Sequence, residues 1–115
     1  MLIVKATPRS ESGAFPSPEH IATMGAFNAQ LQKAGVLVDL SALRPTSEGA
    51  KVVFENGKSR LVKGPFKESN IVSGYWIINV KNAEEAFGWA LKAPNPAFSD
   101  VGGEIEVRPF FEPPG

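Results

Sequence analysis

The longest apolar run in the chain lies at residues 71–80, where only Ser73, Gly74 and Asn79 interrupt the hydrophobic side chains. The run is rich in β-branched and aromatic residues, which pack well on a pleated surface. Apolar side chains at successive positions are typical of a strand that is buried on most of both faces. We therefore predict that residues 71–80 form the central strand of a sheet.

Three further segments alternate between apolar and polar positions with the period of two that strands have. They are residues 2–7, 36–43 and 104–111. A fourth extended segment, residues 51–62, is interrupted by the pair Asn56-Gly57, which strongly favours a two-residue hairpin turn. The patterns predict three more strands of the sheet and a β-hairpin.

A first helix is predicted at residues 18–34. Ser17 offers a hydroxyl cap, Pro18 fits the first helical position, and Gly35 provides a left-handed stop. At about 100° per residue, one side of this helix collects an apolar stripe. The stripe consists of Ile21, Met24, Phe27, Asn28, Leu31 and Ala34. Residues 8–16, which precede the helix, are rich in Ser, Gly and Pro and predict a surface loop.

A second helix is predicted to begin at Ala83, because Asn82 and Glu85 form the Asn variant of a capping box. Pro94 ends it. The predicted buried face is apolar and consists of Ala83, Ala86, Phe87, Ala90 and Leu91. Trp89 lies off that face, so we expect it to be partly exposed or covered from outside the contact between helix and sheet.

Apart from the hairpin, the elements follow the order strand, helix, strand, strand, helix, strand. This is the split βαβ order of ferredoxin-like α+β folds. At 115 residues the chain fits one domain, so we expect residues 1–115 to form a single ferredoxin-like domain with an inserted hairpin. Both helices then cover one face of the sheet, and the other face is bare unless a partner covers it.

Composition and missing motifs narrow the function classes. Twelve acids balance twelve bases, so bulk attraction to nucleic acid or to an anionic membrane is not indicated. The chain has no cysteine, which excludes disulfides, thiolate zinc sites and cysteine nucleophiles. Phosphate-binding glycine loops and the HExxH zinc motif are missing, as are a spanning segment and a signal peptide. We expect a cytoplasmic protein with no cofactor, no metal, no nucleic-acid partner and no membrane contact.

Charge is unevenly distributed although it cancels overall. Residues 44–67 carry six bases against two acids, and residues 84–112 carry six acids against two bases. The two regions either face solvent separately or meet across a subunit interface, where complementary fields would steer association.

The strand alternation places a mixed apolar and charged surface on the sheet face opposite the helices. This mixture is too apolar for open water and too charged for a dry core, so pairing with a second copy would enclose a lined cavity of the kind that binds small ligands. The residues predicted to bind a ligand there are Lys5, Tyr75, Asn79, Glu104, Glu106 and Arg108. In the alternative interpretation, Lys5 and Arg108 only neutralise the acids across strands.

Glu104 and Glu106 are two residues apart and therefore point to the same side of their predicted strand. Carboxylates placed in this way repel each other unless a cation or a proton intervenes. We expect one of them to have a raised pKa, and acid–base chemistry by that carboxyl group is an open alternative.

His20 is the only histidine, so any imidazole chemistry must use it. It falls near the middle of the apolar stripe in the first helical turn, where the helix dipole disfavours the protonated form. It is either a partly buried structural residue or a neutral base at the rim of the sheet. With no second histidine and no acid at ligand spacing, we expect no metal site.

Several motifs occur in a characteristic order along nearly the whole chain. They are Phe27-Asn28, Leu31, Lys33-Ala34-Gly35-Val36-Leu37, Leu43-Arg44-Pro45, Ser47, Gly49, Gly64-Pro65-Phe66-Lys67-Glu68, Gly74-Tyr75-Trp76 and Ile105-Glu106-Val107-Arg108-Pro109. In these motifs the chain resembles the YCII-related family, specifically its DGPF branch. The resemblance implies a bacterial dimeric α+β barrel of ferredoxin-like protomers, sometimes encoded beside or fused to sigma factors. The biochemical role of that family is largely unestablished.

Two features depart from the pattern of the family. Lys63 stands where the motif has its leading acid, so a role that needs a carboxylate at this turn does not carry over. In a related branch, a histidine and an aspartate are proposed as an active-site pair, and the resemblance implies His20 and Asp39 as that catalytic pair here. His20 lies two residues farther from the helix-ending glycine than that branch would place it.

Three hypotheses for the function follow. The first is a homodimeric, cofactor-free protein that binds a small molecule. The second is an enzyme on the same scaffold, with His20 or a glutamate of raised pKa as the base in a lyase-, isomerase- or hydrolase-like reaction. The third is a protein-interaction module linked to transcription, which uses the basic segment 44–67.

Overall fold

The structure is a computed structural model that describes residues 1–68, 70–97 and 102–111. Its elements are β1 (Leu2–Lys5), α1 (Pro8–Glu11), α2 (Pro18–Lys33), β2 (Leu37–Ala42), a 3-10 turn (Thr46–Glu48), β3 (Ala50–Glu55), β4 (Lys58–Lys63), β5 (Val72–Ile78), α3 (Ala83–Lys92) and β6 (Ile105–Val107). Four strands form an antiparallel sheet in the order β2-β5-β1-β6, and β3 pairs with β4 in a separate hairpin. The predicted ferredoxin-like α+β fold with an inserted hairpin is confirmed. Within the described residues the sheet is open and does not close into a barrel.

The central position of β5 confirms the prediction from the apolar run. It lies between β1 and β2, so that Trp76 is opposite Leu2 on one side and Leu40 on the other. Gly74 and Trp76 are buried, whereas Tyr75 and Ile77 on the opposite face are only half-buried. In the single chain, β5 is therefore buried more completely on the face of Gly74 and Trp76 than on the opposite face.

The core lies between α2 and the sheet. Its buried apolar residues are Leu2, Val4, Phe27, Leu31, Val36 and Trp76. Leu2 and Leu31 have no exposed surface. A fully buried leucine contributes roughly 1.5–3 kcal/mol through the removal of apolar surface from water. The contact between α2 and β1 is thus a main source of the stability of the fold.

The segment predicted as a loop at residues 8–16 begins with the short helix α1, so the prediction is wrong for its first part. Thr7 and Ser10 cap this helix reciprocally: the Ser10 backbone N–H donates to Thr7 Oγ1 at 3.2 Å, and the Thr7 N–H donates to Ser10 Oγ at 2.8 Å. Pro8 occupies the first turn, where its missing N–H costs nothing. The Ser- and Pro-rich composition is therefore that of a capped helical turn.

The buried face predicted for the second helix is also partly wrong. Phe87 is 49% exposed and Leu91 is 87% exposed, whereas Trp89 and Ala90 pack against the core. The helix is rotated because the Trp89 ring meets the Phe27 ring edge-on, at a centroid distance of 6.3 Å. The last strand is shorter than the predicted segment 104–111, since β6 covers only three residues.

The molecule measures 46 × 44 × 21 Å, and its smallest dimension is about that of one sheet with one layer of helices. Phe27 of α2 contacts both Trp76 of β5 and Trp89 of α3, so both long helices lie on the same face of the sheet. Neither of them covers the opposite face, which carries Tyr75 and Ile77.

Candidate functional site

A half-open cavity of about 570 Å³ lies between the first half of α2 and the neighbouring parts of β2 and β5. Helix α2 lines it with His20, Ile21, Met24, Gly25 and Asn28. The other walls come mainly from residues 13–16, 40–45 and 73–76, and most of the lining is apolar. The volume falls within the range of roughly 300–1,000 Å³ that is usual for small-molecule sites.

The capped start of α2 places His20 and Gly25 at this cavity. Ser17 Oγ accepts a hydrogen bond from the His20 backbone N–H at 3.1 Å, which fixes the first turn. Two turns later, Gly25 leaves open space, because a β-carbon at this position would meet no atom within 4 Å. A glycine inside a helix costs about 0.5–1 kcal/mol of stability relative to alanine, and at Gly25 it leaves room for a larger side chain beside the cavity.

One polar contact in the cavity wall has a defined orientation. The Trp76 indole Nε1–H donates a hydrogen bond of 2.7 Å to Asn28 Oδ1. Trp76 is 2% exposed and meets Phe27 edge-on at 5.1 Å, so its ring is held firmly. Since an indole nitrogen can only donate, the amide oxygen of Asn28 must face Trp76 and its amino group must face away.

A cluster of hydrogen bonds around Thr46, which we call the Thr46 cluster, holds the rim of the cavity. The Thr46 backbone N–H donates to Glu11 Oε1 at 3.0 Å, and the Thr46 hydroxyl group donates to Glu11 Oε2. The Phe66 backbone N–H donates to Thr46 Oγ1 at 3.0 Å. The cluster therefore ties α1 to the turn before β3 and to the loop after β4, and it fixes the neighbouring segment that includes Pro45.

On the face away from α2 and α3, the structure brings three of the predicted residues together. Lys5 Nζ lies 2.8 Å from Glu106 Oε1, and Arg108 Nη1 lies 3.0 Å from Glu106 Oε2. The hydrogen bond from Lys5 and then the one from Arg108 hold the pKa of the Glu106 carboxyl group below its usual range. Glu106 is therefore not the acid of raised pKa that the sequence predicted for this pair, and it is ionised at neutral pH.

The other residues predicted for this face lie around that group. The Tyr75 hydroxyl group is 3.5 Å from Asp39 Oδ2, at the outer limit of a hydrogen bond. Glu104 is exposed, and its backbone carbonyl accepts from the Lys5 N–H at 3.0 Å. Asn79 is exposed beyond the end of β5, where its N–H donates to the Val36 carbonyl. Of the residues predicted to bind a ligand, Lys5 and Tyr75 also line the cavity beneath α2, whereas Asn79, Glu104, Glu106 and Arg108 do not.

His20 and Asp39 lie on different sides of the sheet. His20 borders the cavity beneath α2, on the side of the sheet where Trp76 lies. Asp39 is opposite Ile77 and therefore shares the other face with it. Burial lowers the pKa of His20 below its ordinary value, and the positive charge of Arg9 lowers it further, so the imidazole is neutral at pH 7.

Sequence reasoning missed two features of the site. The first is Asn28 as a cavity residue, although a polar residue within an otherwise apolar stripe was a signal for it. The second is the Thr46 cluster, for which no local signal exists because Glu11 and Thr46 are 35 residues apart in the chain.

The β3–β4 hairpin presents a second, separate surface. Phe54 is 80% exposed and Leu61 is 62% exposed, and both lie within the basic segment 44–67. The hypothesis of an interaction module that uses this segment stays a prediction, and these two apolar side chains are the ones that a partner would cover.

The described residues contain neither a group of metal ligands nor a membrane-spanning helix. Among residues 1–68, 70–97 and 102–111, no group of three or more His, Cys, Asp or Glu side chains could hold a metal ion. In the same part of the chain, no helix has the length and apolar character needed to cross a membrane.

A family model described as the YCII-related domain matches residues 1–111, which include every helix and strand from β1 to β6. No curated protein matches the chain.

Proposed function

Since the chain belongs to the YCII-related domain family, we propose that it is a small-molecule-binding protein that acts as a homodimer. The half-open cavity beneath α2 is the observation that carries the proposal. A concave, mostly apolar pocket with a few polar groups is the usual form of a ligand site. Here Asn28 and His20 supply polar groups on a wall that is otherwise largely apolar.

Filling the cavity tests the proposal. Gly25→Phe adds a ring where the backbone has open space, and it also replaces a helix-disfavouring residue. We expect the folded protein to keep its stability, while compounds that raise the melting temperature of the wild type in a metabolite screen lose at least about tenfold in affinity, or about 1.4 kcal/mol. Thermal shift followed by calorimetry measures both effects.

Gly88→Phe is the matched control. Gly88 is also a helical glycine at which an added β-carbon would meet no atom within 4 Å, but it lies on α3 and does not line the cavity. Hits that bind both variants as tightly as the wild type would place the ligand elsewhere. A screen without any hit would remove the support for a binding protein.

The homodimer is proposed from the sheet face that α2 and α3 leave uncovered. Ile77 and Tyr75 are half-buried there beside the ion pairs of Glu106, and a second copy that packs on this face would complete their burial. Ile77→Lys would place a charge in that contact, so we expect it to convert the dimer into a monomer. Sedimentation or light scattering measures the mass.

Leu91→Lys is the control for the dimer, because Leu91 is 87% exposed on the helical layer and a charge there should leave the mass unchanged. A wild-type protein that sediments as a monomer at the highest concentration used contradicts the proposed assembly.

A cofactor-free enzyme is the second candidate, and one observation favours it. His20 borders the cavity and is neutral at pH 7, which is the protonation state that a general base needs. The variant of this hypothesis that uses a glutamate of raised pKa loses its basis at Glu106, because the hydrogen bonds from Lys5 and Arg108 lower the pKa of that carboxyl group and make it a weaker base. Mass spectrometry of the compounds after incubation with the protein separates the two candidates, since an enzyme converts its ligand and a binding protein returns it unchanged.

A further inference from the structure

We propose that the cavity beneath α2 binds a small monocarboxylic acid with an apolar body, and that the Asn28 amino group donates to its carboxylate. This inference rests on the proposed function and names the class of ligand for the same cavity. Three properties of the lining carry it: the fixed orientation of one amide, the sign of the charged groups, and the exposure of the apolar walls.

The amide orientation makes Asn28 a donor toward the ligand. Its oxygen is engaged by the Trp76 indole at 2.7 Å. Within the described part of the chain, this is the one side-chain hydrogen bond that Asn28 makes, so its amino group has no protein acceptor. A half-buried donor without an acceptor favours a ligand that brings one. A carboxylate is a stronger acceptor than an amide or a hydroxyl group, because charge strengthens the hydrogen bond.

The charged groups of the lining have one sign. Lys5 and Arg44 line the cavity, and no aspartate or glutamate among residues 1–68, 70–97 and 102–111 lines it. Both cations have partners: the Lys5 ammonium group pairs with Glu106 at 2.8 Å on the other face of the sheet, and Arg44 pairs with Glu48 at 2.8 Å. Their positive field is therefore partly compensated. This balance suits a single negative charge better than a nucleotide or another polyanion, and it disfavours an ammonium group.

The apolar walls of the cavity favour a ligand with an apolar body. Four lining residues are large, apolar and exposed, by 81% at Phe15, 52% at Ile21, 51% at Leu43 and 37% at Leu40. Met24 also lines the cavity and is half-buried. Burying such side chains under an aromatic or branched aliphatic group is favourable in proportion to the apolar area removed from water.

Three probes with the same apolar body distinguish an anionic, a neutral and a cationic ligand: 3-phenylpropanoate, 3-phenylpropanamide and 3-phenylpropylamine. Each is titrated calorimetrically into the wild-type protein. We expect the carboxylate to bind at least about tenfold more tightly than the amide, and the amine to bind more weakly still. Acetate and inorganic phosphate serve as anions without the apolar body and should not compete. Equal affinity for the carboxylate and the amine would overturn the inference.

Asn28→Asp tests the role of the amide. The substitution keeps an oxygen for the Trp76 indole, so the fold should be retained, and it replaces the donor with a negative charge. We expect the carboxylate to lose at least about tenfold in affinity and the amine to become the preferred probe. Unchanged affinity for the carboxylate contradicts the assignment. Arg44→Gln, at a side chain that is 73% exposed, is a second variant that cannot affect the core, and it should weaken the carboxylate by about threefold without affecting the amide.

The outcomes for the two proposals are distinguishable. If none of the probes binds but the metabolite screen yields other compounds whose binding Gly25→Phe abolishes, the binding function stands and the ligand class is wrong. If nothing binds at all, both proposals fail.

Discussion

Replacing Gly64 with alanine should destabilise the protein by about 3 kcal/mol or more, because the new methyl group has no room. A β-carbon on Gly64 would lie 1.7 Å from the carbonyl oxygen of Thr46 and 2.6 Å from its carbonyl carbon. Both are backbone atoms, so no side-chain rotation relieves the contact. Thr46 cannot move away without breaking its hydrogen bonds to Glu11 and Phe66. Urea unfolding followed by circular dichroism measures the loss.

Gly49→Ala is the matched control for this prediction. A β-carbon there would lie 3.7 Å from the same Thr46 oxygen, which is an ordinary contact, and the φ of −120° suits any residue. The free energy of unfolding should change by no more than about 0.5 kcal/mol. If the two variants lose equal stability, the approach of Gly64 to Thr46 does not explain the need for glycine.

Local signals predicted the elements whose conformation is decided within a few residues. The pair Asn56-Gly57 adopts positive φ angles of 51° and 74°, as a two-residue hairpin turn requires, and the hairpin forms around it. Ser17 and Asn82 cap their helices through side-chain oxygens, as the sequence indicated. The central strand followed from its apolar run, because a strand with a neighbour on each edge carries apolar side chains at most positions, although one face of β5 is only half-buried in the single chain.

Features that depend on contacts between distant residues could not be predicted in the same way. The rotation of α3 is set by the contact of Trp89 with Phe27, which lies 62 positions earlier in the chain. The helical periodicity of the α3 sequence therefore cannot predict this rotation. The sequence correctly grouped Lys5, Glu106 and Arg108, since strand alternation fixes the face on which each lies. The sequence could not predict the cavity on the other face of the sheet, because the walls of that cavity come mainly from four separate segments.

The pairing of Glu106 was predicted only in part, because it depends both on a neighbouring residue and on a residue that is distant in the sequence. Repulsion from Glu104 is visible in the sequence as a spacing of two residues. The compensating cation, Lys5, comes from a strand about a hundred residues earlier and approaches to 2.8 Å. The hydrogen bonds from Lys5 and Arg108 outweigh the desolvation that raises the pKa, so the pKa of Glu106 is lowered.

Trp76→Ala should have the largest effect of any single substitution considered, a loss of about 3–5 kcal/mol in the free energy of unfolding. Trp76 is 2% exposed at the centre of the sheet, opposite Leu2 and Leu40, and its ring meets Phe27 edge-on at 5.1 Å. Removal of the indole leaves a void between α2 and β5 and also frees the amide of Asn28. Since small domains are stable by only about 5–15 kcal/mol, the variant should be marginally folded.

Two further tryptophan variants separate the contributions in urea unfolding experiments. Trp76→Phe keeps a ring against Phe27 but removes the indole N–H, so it should cost about 1–2 kcal/mol, most of it from the lost hydrogen bond to Asn28 and the smaller ring. Trp89→Ala removes a half-buried ring at 6.3 Å from Phe27, and it should cost less than Trp76→Ala because the site can collapse into solvent. A loss at Trp89 equal to that at Trp76 would show that the core is centred on α3 and not on the contact between α2 and β5.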